Sequence, residues 1–214
     1  MFKKLFTLMF ALFIIAFLTT NITIAQTSTA LFNTLNADLQ SPVKKTTYPI
    51  FSLSPMIGVQ FPLGNMNNTY KTSFTGGLDV NLQVNRETSF FLNASYYDMP
   101  IKTDLQGPGA SVIGITVGPR YTFSGPQLKA ALFLEAGLGV YMFHTQDFTY
   151  TSGGVTYDVP SASTTNFGIN VGPGVTIPAG GTVNIIIKIK IHDILASGGS
   201  QTFIAGVAGV DFRL

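Results

Sequence analysis

The stretch Thr182 to His192, TVNIIIKIKIH, leaves few folds open to the chain that contains it. Wound as a helix at about 100° per residue, its isoleucines would scatter over every side. Extended, the run resolves into two faces. Val183, Ile185, Ile187, Ile189 and Ile191 fall on one, and Thr182, Asn184, Lys188, Lys190 and His192 on the other, with Ile186 the one misfit. β-Branched residues dominate, and Pro178-Ala179-Gly180-Gly181 and Ser197-Gly198-Gly199-Ser200 bound the run. It reads as a strand with one apolar and one ionic face.

The same pattern recurs from Ile50 onward. Period-two alternation predicts eight strands, near residues 50–61, 73–84, 88–98, 111–123, 128–143, 164–177, 182–193 and 201–214. One face carries no charge in any of them; the fourth strand offers Ile113, Ile115, Val117, Pro119 and Tyr121 there, the sixth Phe167, Ile169, Val171 and Pro173. The other face is Gly, Ser, Thr, Asn and Gln, with Asp79, Arg120, Lys129, Glu135, Lys188, Lys190, Asp211 and Arg213.

Alternation alone does not say which face looks out, and a soluble barrel with an apolar cavity is the competing arrangement. Three features point to the apolar face outward. The polar face is rich in glycine and poor in charge, which suits a crowded interior better than a water-facing surface. With strands running alternately up and down, Phe51, Phe90, Tyr121, Phe123 and Phe212 gather at one end and Phe61, Phe74, Tyr96 and Phe167 at the other. Aliphatic residues lie between, the pattern a bilayer asks of a barrel. The connections also alternate. Asn85-Arg86-Glu87, Ser124-Gly125-Pro126-Gln127 and Pro178-Ala179-Gly180-Gly181 are tight; Pro62 to Lys71, Met99 to Ala110 and His144 to Ala162 are long, with Ile194 to Ser200 intermediate.

Upstream, Met1-Phe2-Lys3-Lys4 and the apolar run Leu5 to Leu18 have the form of a secretory leader, with Thr23-Ile24-Ala25 placing cleavage between Ala25 and Gln26. The run is shorter than the ~20 residues of a membrane-spanning helix. Residues 26–49 are expected to form a periplasmic arm or a short helix carrying Leu31, Leu35 and Leu39. The formal charge of +2 comes from Lys3 and Lys4; removing them leaves 10 basic residues against 10 acidic ones. A neutral mature chain has no electrostatic case for binding nucleic acid. Without cysteine, disulfides, thiolate zinc sites, thiol nucleophiles and a lipidated N-terminal cysteine are excluded.

Residues 50–214 resemble the small eight-stranded outer-membrane β-barrels of the OmpA/OmpX kind, in the form found in Bacteroidetes-like bacteria. The resemblance rests on Gly58-Val59-Gln60-Phe61-Pro62-Leu63-Gly64, on Glu135-Ala136-Gly137-Leu138-Gly139-Val140-Tyr141, and on the terminus Gly209-Val210-Asp211-Phe212-Arg213-Leu214. It implies a transmembrane, up-and-down antiparallel barrel in the bacterial outer membrane, in contact with lipid and lipopolysaccharide. Gly209, Phe212 and Leu214 resemble the signal read by the barrel assembly machinery, with Leu214 where the family usually has Phe. The chain ends there, so the peptidoglycan-binding domain of longer relatives is not expected.

Three candidate sites follow. Asp79, Arg120, Glu135, Lys188 and Lys190 face a lumen about wide enough to be filled by side chains, where opposite charges pair and plug it; a narrow path for ions, or for small or apolar molecules, is the alternative. The long loops interleave Asp98, Asp104, Asp147, Asp158 and Asp193 with Tyr70, Phe148, Tyr150 and Tyr157. Such a rim suits a divalent cation, lipopolysaccharide or a surface partner, and the segment His144 to Ala162 is the place to look, though the sequence does not name the ligand. His144 and His192 are expected near the outer rim. A lipid-modifying enzyme built on His192, Asp193 and Ser197 or Ser200 is the second alternative, but no nucleophile motif supports it. The expectation is a monomeric, non-enzymatic envelope or surface protein without cofactor or metal.

Overall fold

The computed structural model describes residues 47–214 apart from 104, 106, 124–129 and 198. The leader, the cleavage site at Ala25 and Gln26, most of the 26–49 arm, Asp104 and the turn Ser124–Gln127 lie outside the described residues. Ten strands are present among the described residues: β1 (Ile50–Leu63), β2 (Ser73–Gln83), β3 (Thr88–Met99), β4 (Ala110–Phe123), β5 (Ala131–Thr145), β6 (Phe148–Ser152), β7 (Val155–Val159), β8 (Ala162–Gly180), β9 (Val183–Ala196) and β10 (Gly199–Arg213). A single short helix among the described residues, α1, spans Asn65–Thr69.

Eight of the strands close into a barrel in the order β1-β10-β9-β8-β5-β4-β3-β2. Every neighbouring pair is antiparallel, and β1 meets β10 from Ser52↔Arg213 to Leu63↔Thr202. Closure leaves no unpaired strand edge around the wall. It also forces period-two residues into two classes, wall-outward and lumen-inward.

The apolar class is the outward one. Ile57, Leu138 and Phe167 are 67, 64 and 71% exposed, whereas Asp79, Glu135 and Lys188 are 0, 1 and 2% exposed. A water-soluble domain sorts its residues the other way; a barrel whose wall meets hydrocarbon sorts them so. The outward aromatics form two rings of positions, Phe51, Phe90, Tyr121 and Phe212 near the short turns and Phe61, Phe74, Tyr96 and Phe167 near the long loops. At the short-turn rim the Tyr121 hydroxyl donates to Glu87 Oε2 at 3.0 Å. Among the described residues no helix is long and apolar enough to cross a membrane, which says nothing about crossing by strands.

The structure departs from the expected outline in three places. The long connection His144 to Ala162 contains β6 and β7, paired from Phe148↔Val159 to Ser152↔Val155 around Gly153-Gly154. Those glycines have φ of 61° and 80°, as a two-residue hairpin turn demands. Ile194 to Ser200 is not an intermediate loop, because β9 and β10 stay paired out to Ala196↔Gly199. The connection Pro62 to Lys71 is partly strand and partly α1. The misfit Ile186 points inward, 1% exposed, and packs with Met56 and Phe133 in a small apolar cluster.

Candidate functional site

The lumen is built from the inward row of each strand. Near the short-turn end, Asp211 on β10 accepts hydrogen bonds from Ser54 Oγ and Asn184 Nδ2, both at 2.8 Å. One rung further in, Met56 on β1 and Ile186 on β9 cluster with Phe133 of β5.

The five ionisable residues singled out in the sequence come from β2, β4, β5 and β9, and the barrel brings them together. Arg120 donates from Nε and Nη2 to Glu135 Oε2 at 2.9 and 2.7 Å and from Nη2 to Asp79 Oδ2 at 3.2 Å. Lys188 donates to Asp79 Oδ2 and, at 3.1 Å, to Glu135 Oε1. Lys190 Nζ lies 2.8 Å from Glu135 Oε1 as an ion contact and 4.3 Å from the centre of the Phe91 ring. The Arg120 guanidinium lies 4.4 Å from the centre of the Phe133 ring. Asn93 donates to Asp79 Oδ1 at 2.6 Å. Buried charges are tolerable only when paired and hydrogen-bonded. Here two carboxylates are bridged by two cations, and the third cation rests on a carboxylate and an aromatic face.

Glycine makes room for these large groups. A Cβ built on Gly174 would stand 2.1 Å from the Phe133 ring, so β8 lets that ring lie against its backbone.

Above the ionic cluster the lumen turns aromatic. His192, which the sequence reading placed near the outer rim, is 1% exposed inside the barrel. Its Nδ1 shares a hydrogen bond with the Tyr141 hydroxyl at 2.9 Å, and Nε2 lies 3.4 Å from the Tyr97 hydroxyl. Its ring stacks on Phe203 with centroids 4.7 Å apart and planes 6° from parallel. Met99, Val112, Phe143 and Ile194 continue this cluster, and Met66, carried by α1, joins it from the first long loop. Backbone bonds tie that loop to the second, from Lys71 N to Pro100 O and from Lys102 N to Thr69 O, both 2.9 Å. Tyr70 packs against the cluster, and its burial pushes its phenol above the usual range.

The imagined catalytic trio is not assembled. His192 faces inward, whereas Asp193 accepts hydrogen bonds from Ser200 Oγ and, at 2.9 Å, from Thr202 Oγ1. His144 is exposed and shares a 3.0 Å hydrogen bond with Ser163 Oγ. Among the described residues no three His, Asp or Glu side chains gather as a metal site.

The loop residues singled out in the sequence do share one element. Phe148 and Tyr150 lie on β6 and Tyr157 on β7, all on one face of the hairpin. Phe148 and Tyr150 stack at 5.9 Å and 19°, Tyr150 and Tyr157 at 5.1 Å and 18°. Asp158 accepts from Thr149 Oγ1 at 2.8 Å on the opposite face, and Asp147 accepts from the Ser161 amide at 2.5 Å at the hairpin base. At the chain end Gly209 pairs with Met56 and Ile186, Phe212 is 41% exposed on the outer wall, and the Leu214 amide donates to Phe51 O at 2.9 Å.

No protein-family model and no curated protein sequence matches the chain. Solved structures do. Neisserial surface protein A aligns with a TM-score of 0.58 at 13% identity, over 79% of this chain and all (100%) of that one. A major outer membrane protein from Thermus thermophilus aligns at 0.56 and 13%, over 77% and 99%. The outer membrane protein OprG from Pseudomonas aeruginosa aligns at 0.50 and 12%, over 78% and 97%. At such identities the likeness is one of fold: a closed eight-stranded barrel of the outer-membrane kind.

Proposed function

We propose that this chain is a bacterial outer-membrane barrel with a structural or surface-contact role, non-enzymatic, in which the wall is a membrane anchor and the β6–β7 hairpin is the contact element. The observation that carries the reading is the filled lumen. An interior crossed by Arg120, Lys188 and Lys190 bound to Asp79 and Glu135, then by Tyr97, Tyr141, His192 and Phe203, leaves the outer loops as the part free to meet a partner. Small-molecule passage, the runner-up, would need this stack to open.

The export route belongs to the same proposal: a leader cut between Ala25 and Gln26, and a terminus with Gly209, Phe212 and Leu214 engaging the assembly machinery. So does a monomeric state in lipid and lipopolysaccharide, because the closed barrel offers no strand edge for pairing within the membrane. A placement within the Bacteroidetes-type branch of such barrels also stays part of it, resting on the sequence runs alone.

Two measurements test the reading. The purified protein in a planar bilayer is expected to show no steady conductance; a stable open level would overturn the plug. Membrane fractionation with N-terminal mass spectrometry is expected to find a chain starting at Gln26 in the outer membrane, migrating on SDS gels faster before heating than after. A soluble, unshifted chain would end the proposal.

A further inference from the structure

The hairpin β6–β7 is a two-stranded sheet apart from the closed barrel, but it keeps the register of β5 and β8. Pairing runs from Ala131↔Thr176 to Thr145↔Ala162 and resumes from Phe148↔Val159 to Ser152↔Val155. Two residues intervene on each side, Gln146-Asp147 and Pro160-Ser161, so none is gained or lost and parity is kept. Phe148 and Tyr150 therefore belong to the column of Leu134, Leu138 and Met142, and Tyr157 to that of Phe167 and Ile169. Carried across the break in pairing, that parity turns the aromatic platform away from the barrel axis. On the opposite face Thr149 bonds to Asp158 and Thr151 to Thr156, so cross-strand bonds occupy the polar groups.

Several coverings of this platform do not fit. Hydrocarbon is too far below: above Phe167 the same columns hold Met142 beside Thr165 as the last apolar position, then His144, Ser163, Gln146 and Ser161. From Met142, the last outward apolar residue of β5, to Phe148 is about 20 Å along the strand at ~3.3 Å per residue. At a tilt of about 40° that is roughly 15 Å along the membrane normal, beyond the headgroup layer of about 5–8 Å per leaflet. A second copy of the chain would find only a few side chains, against the roughly 20–30 residues a side of a stable interface. Phosphate groups find no Lys or Arg between residues 145 and 162, only Asp147 and Asp158.

What fits is a neutral ring with an apolar face. A sugar ring turns C–H bonds, weakly positive at hydrogen, toward one side, and an aromatic ring is negative over its face. Continuity with the lipid-facing wall places the platform among the sugars of the lipids that surround the barrel. We propose that Phe148, Tyr150 and Tyr157 bind neutral saccharide rings of the outer-leaflet glycolipid. This rests on the outer-membrane reading given above.

The test uses the full-length protein in nanodiscs holding either a glycolipid with its complete saccharide or the same lipid stripped of sugar. Saturation-transfer NMR from the tyrosine and phenylalanine ring protons is expected to reach sugar C–H protons with the complete glycolipid only. Tyr150→Val with Tyr157→Val keeps strand propensity and apolar character, and is expected to weaken the transfer at least about tenfold, the effect of losing two aromatic contacts. Thr151→Val with Thr156→Val, on the opposite face, is expected to leave it unchanged. Absence of transfer in the unsubstituted protein, equal binding by the valine variant, or equal binding to the stripped lipid would each overturn the assignment. In parallel, Gly153→Cys is labelled on intact cells with an impermeant maleimide. No labelling defeats the outer-membrane reading; labelling without saccharide binding defeats this inference alone.

Discussion

Glu135→Gln is the substitution that loads the lumen most heavily. The carboxylate takes two hydrogen bonds from Arg120 and one from Lys188, and it is the ion contact of Lys190. In the native cluster three cations face two carboxylates; the glutamine leaves three facing Asp79 alone, still buried. Removing one partner of a buried pair costs about 3–5 kcal/mol, and the upper half of that range is expected because three cations lose their partner at once. Equilibrium urea unfolding in lipid vesicles, read as loss of the fast-migrating band, supplies the number. Adding Lys190→Met restores an excess of one positive charge over the carboxylates, as in the native cluster. The double variant is therefore expected to recover at least about 1 kcal/mol of the loss, a coupling of the size found within ionic networks. Glu135→Gln within about 0.5 kcal/mol of the native protein, or strict additivity in the double variant, would refute the claim that these charges hold one another.

Other substitutions probe different parts of the molecule. Gly174→Ala pushes a methyl into the Phe133 ring and is expected to cost about 1–3 kcal/mol, seen as a lower temperature for the gel shift; Phe133→Leu in the same chain should return part of it. Ile187→Arg places a charge on the outward apolar band, with an expected cost of about 2–4 kcal/mol in a bilayer, whereas Thr156→Arg on the hairpin should stay within about 0.5 kcal/mol. Tyr141→Phe removes the 2.9 Å bond to His192 and leaves a buried ring nitrogen unpaired, costing about 1–3 kcal/mol by thermal unfolding without changing the barrel's migration.

The wall was legible because hydrocarbon on one side and a packed lumen on the other make every residue choose a side, and Ile185, Ile187 and Ile189 could not choose otherwise. The same parity puts Lys188, Lys190 and His192 on the inner face; what it does not give is how deep in the barrel His192 lies. Reading Ile194 to Ser200 as a loop drew His192 toward the rim. The hairpin β6–β7 was also written in the chain, as Phe148-Thr149-Tyr150-Thr151 and Val155-Thr156-Tyr157-Asp158 around Gly153-Gly154; taking His144 to Ala162 as loop hid its alternation. What no local pattern carries is the stagger of the closed sheet. Asp79 and Lys188 are 109 positions apart and meet only because β2 and β9 lie on facing arcs of the barrel. Helix α1, five residues long, has too few turns to leave a periodic signature.

The claim beneath all of this is that the apolar rows of the wall face lipid. Because the chain has no cysteine, single cysteines can be placed at positions 185 to 190 in turn and spin-labelled in bilayers. Labels at 185, 187 and 189 are expected to collide freely with dissolved oxygen and be shielded from a water-soluble nickel complex, and those at 186, 188 and 190 to be shielded from both. The opposite alternation, with 186, 188 and 190 in contact with lipid, would contradict the account.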